Sequence, residues 1–142
     1  MDAKWLLQNY GFPDLLDPSW NQLREVLSRL DGETYEIVML TKIDSQQTLS
    51  AGGGNNGRYL VSYASPITFP HSYVATDLSL DGADDVELTI QEPDKFPSRW
   101  CIRLPLVLRI FEYFFYNSDI PKDIRWEIED SFGELFGKVV EL

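Results

Sequence analysis

The side chains with the widest chemical repertoire are scarce in this chain. Nucleophilic catalysis needs a hydroxyl or thiol with a base held beside it, and the sequence offers one histidine, His71, and one cysteine, Cys101. His71 follows Pro70 at the start of a candidate strand, where an imidazole is structural or solvated rather than a general base. Cys101 stands between Trp100 and Ile102 and reads as a buried, inert thiol. There is no CxxC or HxxxH pair to set the ligand spacing of a zinc site. Carboxylates are plentiful, and Asp77, Asp81, Asp84 and Asp85 bunch together. A calcium loop, however, needs alternating oxygen ligands, a central glycine and a closing glutamate at fixed places. Residues 81–85, DGADD, do not meet that pattern and read as a solvated acidic turn.

One motif speaks of nucleotides. Gly52, Gly54 and Gly57 spell G-x-G-x-x-G, but a dinucleotide site requires a helix directly after the glycines, whose amides hold the pyrophosphate. Here Tyr59, Val61 and Tyr63 alternate with Arg58, Leu60 and Ser62, which is the period of a strand, and no Lys-Ser or Lys-Thr pair closes a P-loop. Residues 49–63, LSAGGGNNGRYLVSY, are a hairpin whose Asn56-Gly57 pair supplies the positive φ angles of a tight turn. The glycines before it mark a bulge or the close approach of another backbone or a ligand. No catalytic residue, cofactor or metal is therefore assigned.

The elements around this hairpin follow from periodicity. Residues 1–16 read as a short helical or irregular lead, broken at Gly11-Phe12-Pro13. Asp17-Pro18 resembles an N-cap with proline at the first helical position. Trp20, Leu23, Val26, Leu27 and Leu30 then define one face of a helix of about four turns, stopped by Asp31-Gly32. The period changes to two at Tyr35, Ile37, Met39 and Thr41, and residues 44–47 turn into the hairpin. Residues 71–75 and 86–90 make further strands, the latter ended by Pro93 and Pro97, and residues 99–104 one more short strand. Pro105 opens a second helix with Leu106, Val107, Ile110, Phe111 and Phe114 on its apolar face. Ile124, Trp126 and Ile128 alternate with Arg125, Glu127 and Glu129, predicting a strand with one charged face at an exposed edge. Asp130-Ser131 would cap a last helix carrying Phe132, Leu135, Phe136 and Val139. Strands in the middle with helices toward both ends predict an α+β fold: one antiparallel meander of about five or six strands with N-terminal and C-terminal helices on one face.

Composition narrows the function classes. At 142 residues and 44% hydrophobic, residues 1–142 form a single domain with enough apolar material for a core. The formal charge of -11, from 23 acidic against 12 basic residues, repels nucleic acid and anionic lipid and would steer a basic protein partner. A lone cysteine and an amino-terminal MDAKW without a basic, then apolar, leader predict a chain kept in the reducing cytoplasm. Its longest mostly apolar stretch, residues 104–116, is interrupted by Arg109 and Glu112 and is too short to span a bilayer.

With the pieces in this order, the chain resembles the first-numbered family of bacterial immunity proteins of polymorphic toxin systems. Three stretches carry the likeness: the helix ending in Leu30-Asp31-Gly32 that leads through a strand to the glycine-rich hairpin, the aromatic-ended helix of residues 106–119, and Ile120-Pro121 followed by Ile124-Arg125-Trp126-Glu127. The match runs from Trp20 to Glu129. The family's helix often ends in Thr-Gly, where this chain has Asn117-Ser118-Asp119. The resemblance implies a non-enzymatic protein that binds a cognate toxin domain, often a nuclease or nucleic-acid deaminase, and inhibits it stoichiometrically. The free protein is then expected to be a monomer or weak dimer. Alternatives are an adaptor domain, which would co-purify with a non-toxic partner, and a carboxylate-dependent enzyme, which would turn over a substrate. The expected docking surface is the acidic stretch of Asp77, Asp81, Asp84, Asp85, Glu87, Glu92 and Asp94, with the hairpin tip at Asn55 and Asn56 as the second candidate.

Overall fold

Trp5 and Leu7 are buried while Leu6 and Gln8 are only half-buried, and this period of two makes Trp5–Asn9 a strand, β1. The expected helical or irregular lead is thus corrected. Gly11, at φ 88°, helps turn the chain back so that Leu15–Leu16, β2, pairs antiparallel with β1. The computed structural model describes residues 2–129 and 139–141.

Helix α1 spans Trp20–Ser28, shorter than its apolar spacing suggests. Its cap is Ser19 rather than Asp17: the Gln22 amide donates to Ser19 Oγ at 3.1 Å and the Ser19 amide donates to Gln22 Oε1 at 2.9 Å, a reciprocal capping box. Asp17, at φ 48°, instead accepts from the amides of Lys4 and Trp5 and ties the helix approach to β1. At the other end the Arg29 and Leu30 amides reach back only three residues, to Val26 and Leu27, which tightens the last turn and stops the helix.

Strand β3 is Ile37–Lys42, β4 Gln47–Gly53, β5 Arg58–Ala64, β6 Ser72–Thr76, β7 Val86–Ile90, β8 Glu92–Phe96 and β9 Ile102–Arg103. Helix α2 is Leu104–Asn117, and β10 and β11 are Arg125–Glu129 and Val139–Glu141. Pro105 lies in the first turn of α2, and Ser118, in the left-handed region at φ 55°, ends it with its amide on the Phe114 carbonyl. Among the described residues the main sheet has nine strands in the order β11-β10-β6-β5-β4-β3-β1-β2, with β9 on the first residues of β5. All its pairings are antiparallel. The α+β fold with an open antiparallel sheet is the one expected. The strand number exceeds the five or six read from periodicity because β1 replaces the expected helical or irregular lead and β2 and β11 are only two and three residues long.

Two further expectations are corrected here. Pro93 does not end a strand: the chain reverses at Gln91, φ 68°, and β8 pairs with β7 as a separate two-stranded ribbon, with Pro93 opposite Thr89. Nor is β10 an exposed edge, since it lies between β6 and β11. Of the last predicted helix, Phe132, Leu135 and Phe136 lie outside the described residues, and Val139 belongs to a strand.

The hairpin at the centre forms as its residues dictate. Asn56 and Gly57 take φ of 62° and 67°, and β4 and β5 run back from them with Ala51 opposite Val61 and Leu49 opposite Tyr63. Gly54 marks an approach of backbone, not of a ligand. A Cβ there would stand 2.2 Å from the Leu30 carbonyl oxygen, so the hairpin tip and the end of α1 meet where only glycine fits. Leu23 and Leu27 of α1 and Val107, Ile110, Phe111 and Phe114 of α2 join Val38, Leu40, Leu49, Ala51, Tyr59, Val61 and Tyr63 in one buried cluster. The inward face of β3 is Val38 and Leu40, so Ile37, Met39 and Thr41 point the other way and are half-buried. Trp20 packs at the rim of the cluster rather than within it. Trp5 closes the cluster beside α2, edge-on to Phe114 at 5.2 Å.

Candidate protein-binding site

The acidic residues singled out from the sequence are brought to one part of the molecule. After β6, Asp77 caps a single 3₁₀ turn, Leu78–Leu80, its Oδ1 accepting from the Ser79 amide at 3.0 Å and hydroxyl at 2.7 Å. Asp81, Asp84 and Asp85 follow in an exposed turn that feeds the ribbon. On the ribbon itself, Glu87 lies opposite Lys95, Leu88 opposite Asp94 and Ile90 opposite Glu92. Leu88 is buried and Ile90 half-buried, while Glu87, Glu92 and Asp94 are exposed. The apolar side of the ribbon rests on the hairpin: Ile90 covers Gly52 and Leu88 covers Gly53, positions whose missing side chains make room for them.

Asn55 fastens this arrangement. Its Nδ2 donates to the Glu87 carbonyl and its Oδ1 accepts from the Thr89 amide, both at 3.1 Å, so the side chain mimics a strand partner for β7. Asn55 is thus engaged within the protein, whereas Asn56 at the same tip is exposed.

Beneath the acidic turn lies a charge pair that alternation in β10 does not predict. Glu127 was expected on an exposed charged face, yet it is 3% exposed. Arg99 Nε donates to its Oε2 and Arg99 Nη2 to its Oε1, each at 2.9 Å, a bidentate clamp, and Thr76 Oγ1 donates to Oε2 at 2.9 Å. Burial alone would raise the Glu127 pKa, but the hydrogen bonds from Arg99 and Thr76, with the Arg99 charge and the nearby Trp100, hold the carboxyl below its ordinary value. The buried Trp100 indole makes no hydrogen bond of good geometry, yet it also favours the charged carboxylate. Arg99 reaches outward as well, with Nη1 at 3.7 Å from Asp81 Oδ1. Among the described residues, Asp81 is the one member of the acidic group that makes an ion pair. The remaining exposed carboxylates face solvent.

Arg58 performs a parallel task at the start of β5. Its Nη2 donates to the Ser98 carbonyl and hydroxyl at 3.1 and 2.9 Å and its Nε donates to the Cys101 carbonyl, which fixes the 3₁₀ turn Ser98–Trp100 against the hairpin. Cys101 is fully buried, and that burial pushes its thiol up to about 11, so it is protonated and unreactive near neutrality. His71 is exposed at the other end of the sheet, before β6. No group of three or more His, Cys, Asp or Glu side chains among the described residues is placed to hold a metal ion. No helix among them is long and apolar enough to cross a membrane.

The family model described as Immunity protein Imm1 matches residues 14–128. That span begins ahead of Trp20, just before β2, and runs through both helices and the hairpin to Ile128 in β10. The chain therefore belongs to the Imm1 family of immunity proteins, as the three resembling stretches implied. Comparison with curated proteins gives no match.

Proposed function

We propose that this Imm1 immunity protein neutralises a cognate toxin domain that acts on nucleic acid, a nuclease or a deaminase, by stoichiometric binding without catalysis. The acidic group of Asp77, Asp81, Asp84, Asp85, Glu87, Glu92 and Asp94 is the docking surface. The observation that carries this reading is the convergence of those carboxylates on one turn and one ribbon in a chain of net charge -11. A protein that handles nucleic acid needs a basic surface, and complementary potential steers encounter and suppresses wrong partners. The ribbon is held by Asn55 and by Leu88 and Ile90, so its carboxylates are presented on a scaffold rather than a free loop. Such pre-organisation lowers the ordering cost of association.

The test uses the cognate toxin domain, inactivated in its catalytic residue. Changing Asp81, Asp84 and Asp85 together to Asn should slow association by about three- to tenfold at low salt and flatten its salt dependence. Binding and protection of cells at the parent rate would remove the acidic turn as docking surface. Asn56 at the hairpin tip then becomes the candidate.

A further inference from the structure

The charge of this chain is unevenly spread. From Tyr59 to Thr76, 18 consecutive residues carry no Asp, Glu, Lys or Arg, although a quarter of the chain is charged. The middle of this run is the connection between β5 and β6, residues 65–71, SPITFPH. There Ile67 is 95% exposed and Phe69 81% exposed, more than any other large apolar side chain among the described residues. Single exposed apolar residues need no explanation, but two at one loop tip, flanked by Pro66 and Pro70, form a patch.

The loop backbone is closed on itself. The Ser65 carbonyl accepts from the Thr68 and Phe69 amides at 3.1 and 3.0 Å, the Ser65 amide donates to Thr68 Oγ1 at 3.0 Å, and the His71 amide donates to the Thr68 carbonyl at 2.8 Å. The two apolar side chains are therefore offered from an ordered turn, beside a shallow hollow lined by Gln46, Thr48, Ala64 and Ser65. The loop sits at the end of β5 away from Asn55, since Ala64 pairs with Thr48 and Tyr59 with Gly53. Seven-residue strands span about 20 Å. An interface of standard size is about 30 Å across, so one partner can reach both the ribbon and the loop.

We infer that Ile67 and Phe69 are the apolar anchors by which this protein seats in its toxin, inserted into an uncharged recess within an otherwise basic surface; this rests on the docking reading above. Charge complementarity selects that occupant. A basic partner is drawn by the acidic ribbon, whose contacts stay hydrated and set the rate of encounter. The centre of a stable interface is by contrast depleted of charge and built on rigid aromatic or aliphatic side chains. The charge-free loop fits that second role, and the acidic ribbon does not. The negative field disfavours an anionic lipid surface and a second copy of the same chain.

The test is a kinetic comparison of the full chain with Ile67→Ser, Phe69→Ser and the double variant, against the inactivated toxin domain. The double variant should dissociate at least about thirtyfold faster, with association within about twofold of the parent and an unchanged melting temperature. Ile67→Ser alone removes a side chain that touches almost nothing in the free protein, so its faster dissociation cannot come from misfolding. If the parent binds and the double variant leaves as slowly, the anchor is refuted while the acidic docking reading stands. If the parent does not bind the toxin domain at all, both fall. Sedimentation of the free chain and co-sedimentation with phosphatidylcholine vesicles complete the experiment. A dimer or a vesicle-bound fraction abolished by the double variant would assign the loop to self-association or lipid and overturn the proposal.

Discussion

Glu127 lies 3% exposed under a bidentate arginine and a threonine hydroxyl, whereas Asp84, Asp85 and Glu92 stand in solvent only a short way along the fold. The first is a carboxylate the protein uses on itself, closing the sheet over β6 and β10; the others are held in no such clamp. Exposed ion pairs contribute between nothing and about 1 kcal/mol to stability. A buried pair, once formed, is costly to break because the surviving charge is stranded. Acidity in this protein is therefore of two kinds, one bound into the fold and one exposed, and if the exposed group docks a partner as proposed, substitutions should separate them.

The largest effect expected is from Glu127→Ala, which leaves Arg99 partly buried without its clamp and should cost about 3 kcal/mol in denaturant unfolding. Loss of less than about 1 kcal/mol would erase the distinction between the two carboxylate groups. Gly54→Ala comes next: φ is 101° and the added Cβ meets the Leu30 carbonyl, so a loss of about 2 kcal/mol or more is expected from thermal melts. Asn55→Ala removes both hydrogen bonds to β7 and should cost about 1–2 kcal/mol. It should also raise amide exchange in the ribbon more than in the main sheet, which would show that the acidic surface depends on this strut. Acid titration sharpens the contrast further. The native Glu127 pKa lies below its ordinary value of 4.5, so its contribution is complete above that value and is lost as pH falls through the lower native one. The stability gap between the parent and Glu127→Gln should accordingly narrow below about pH 4. The smallest change in stability, within about 0.5 kcal/mol, is expected for the Asp81, Asp84 and Asp85 triple Asn variant, whose effect belongs to association kinetics.

The parts of the fold that were legible are those whose signals are local. The apolar stripes of both helices, the Asn-Gly turn and the alternation of Tyr59, Val61 and Tyr63 each lie within a few residues, and each is found where its spacing puts it. β1 was missed because Trp5, Leu6 and Leu7 are a continuous apolar run that alternates only once β3 is paired to it. Glu127 was misplaced for a related reason. Alternation assigns it to a face but does not tell whether that face is covered, and its partner Arg99 is 28 positions away. The acidic stretch was legible as a cluster of residue types, since its members are close in sequence. That Asn55 braces it was not, because the bond joins two elements 32 residues apart.

The outermost described strand next to β1 has a consequence for how the chain keeps from polymerising. β2 is only two residues long, and Leu15 and Leu16 are both exposed. An edge with leucines outward would template cross-β growth if it were longer. Pro13 and Pro18, which lack the amide needed to extend a ladder, flank it on either side. The edge is thereby kept too short to recruit a neighbouring chain into a growing sheet.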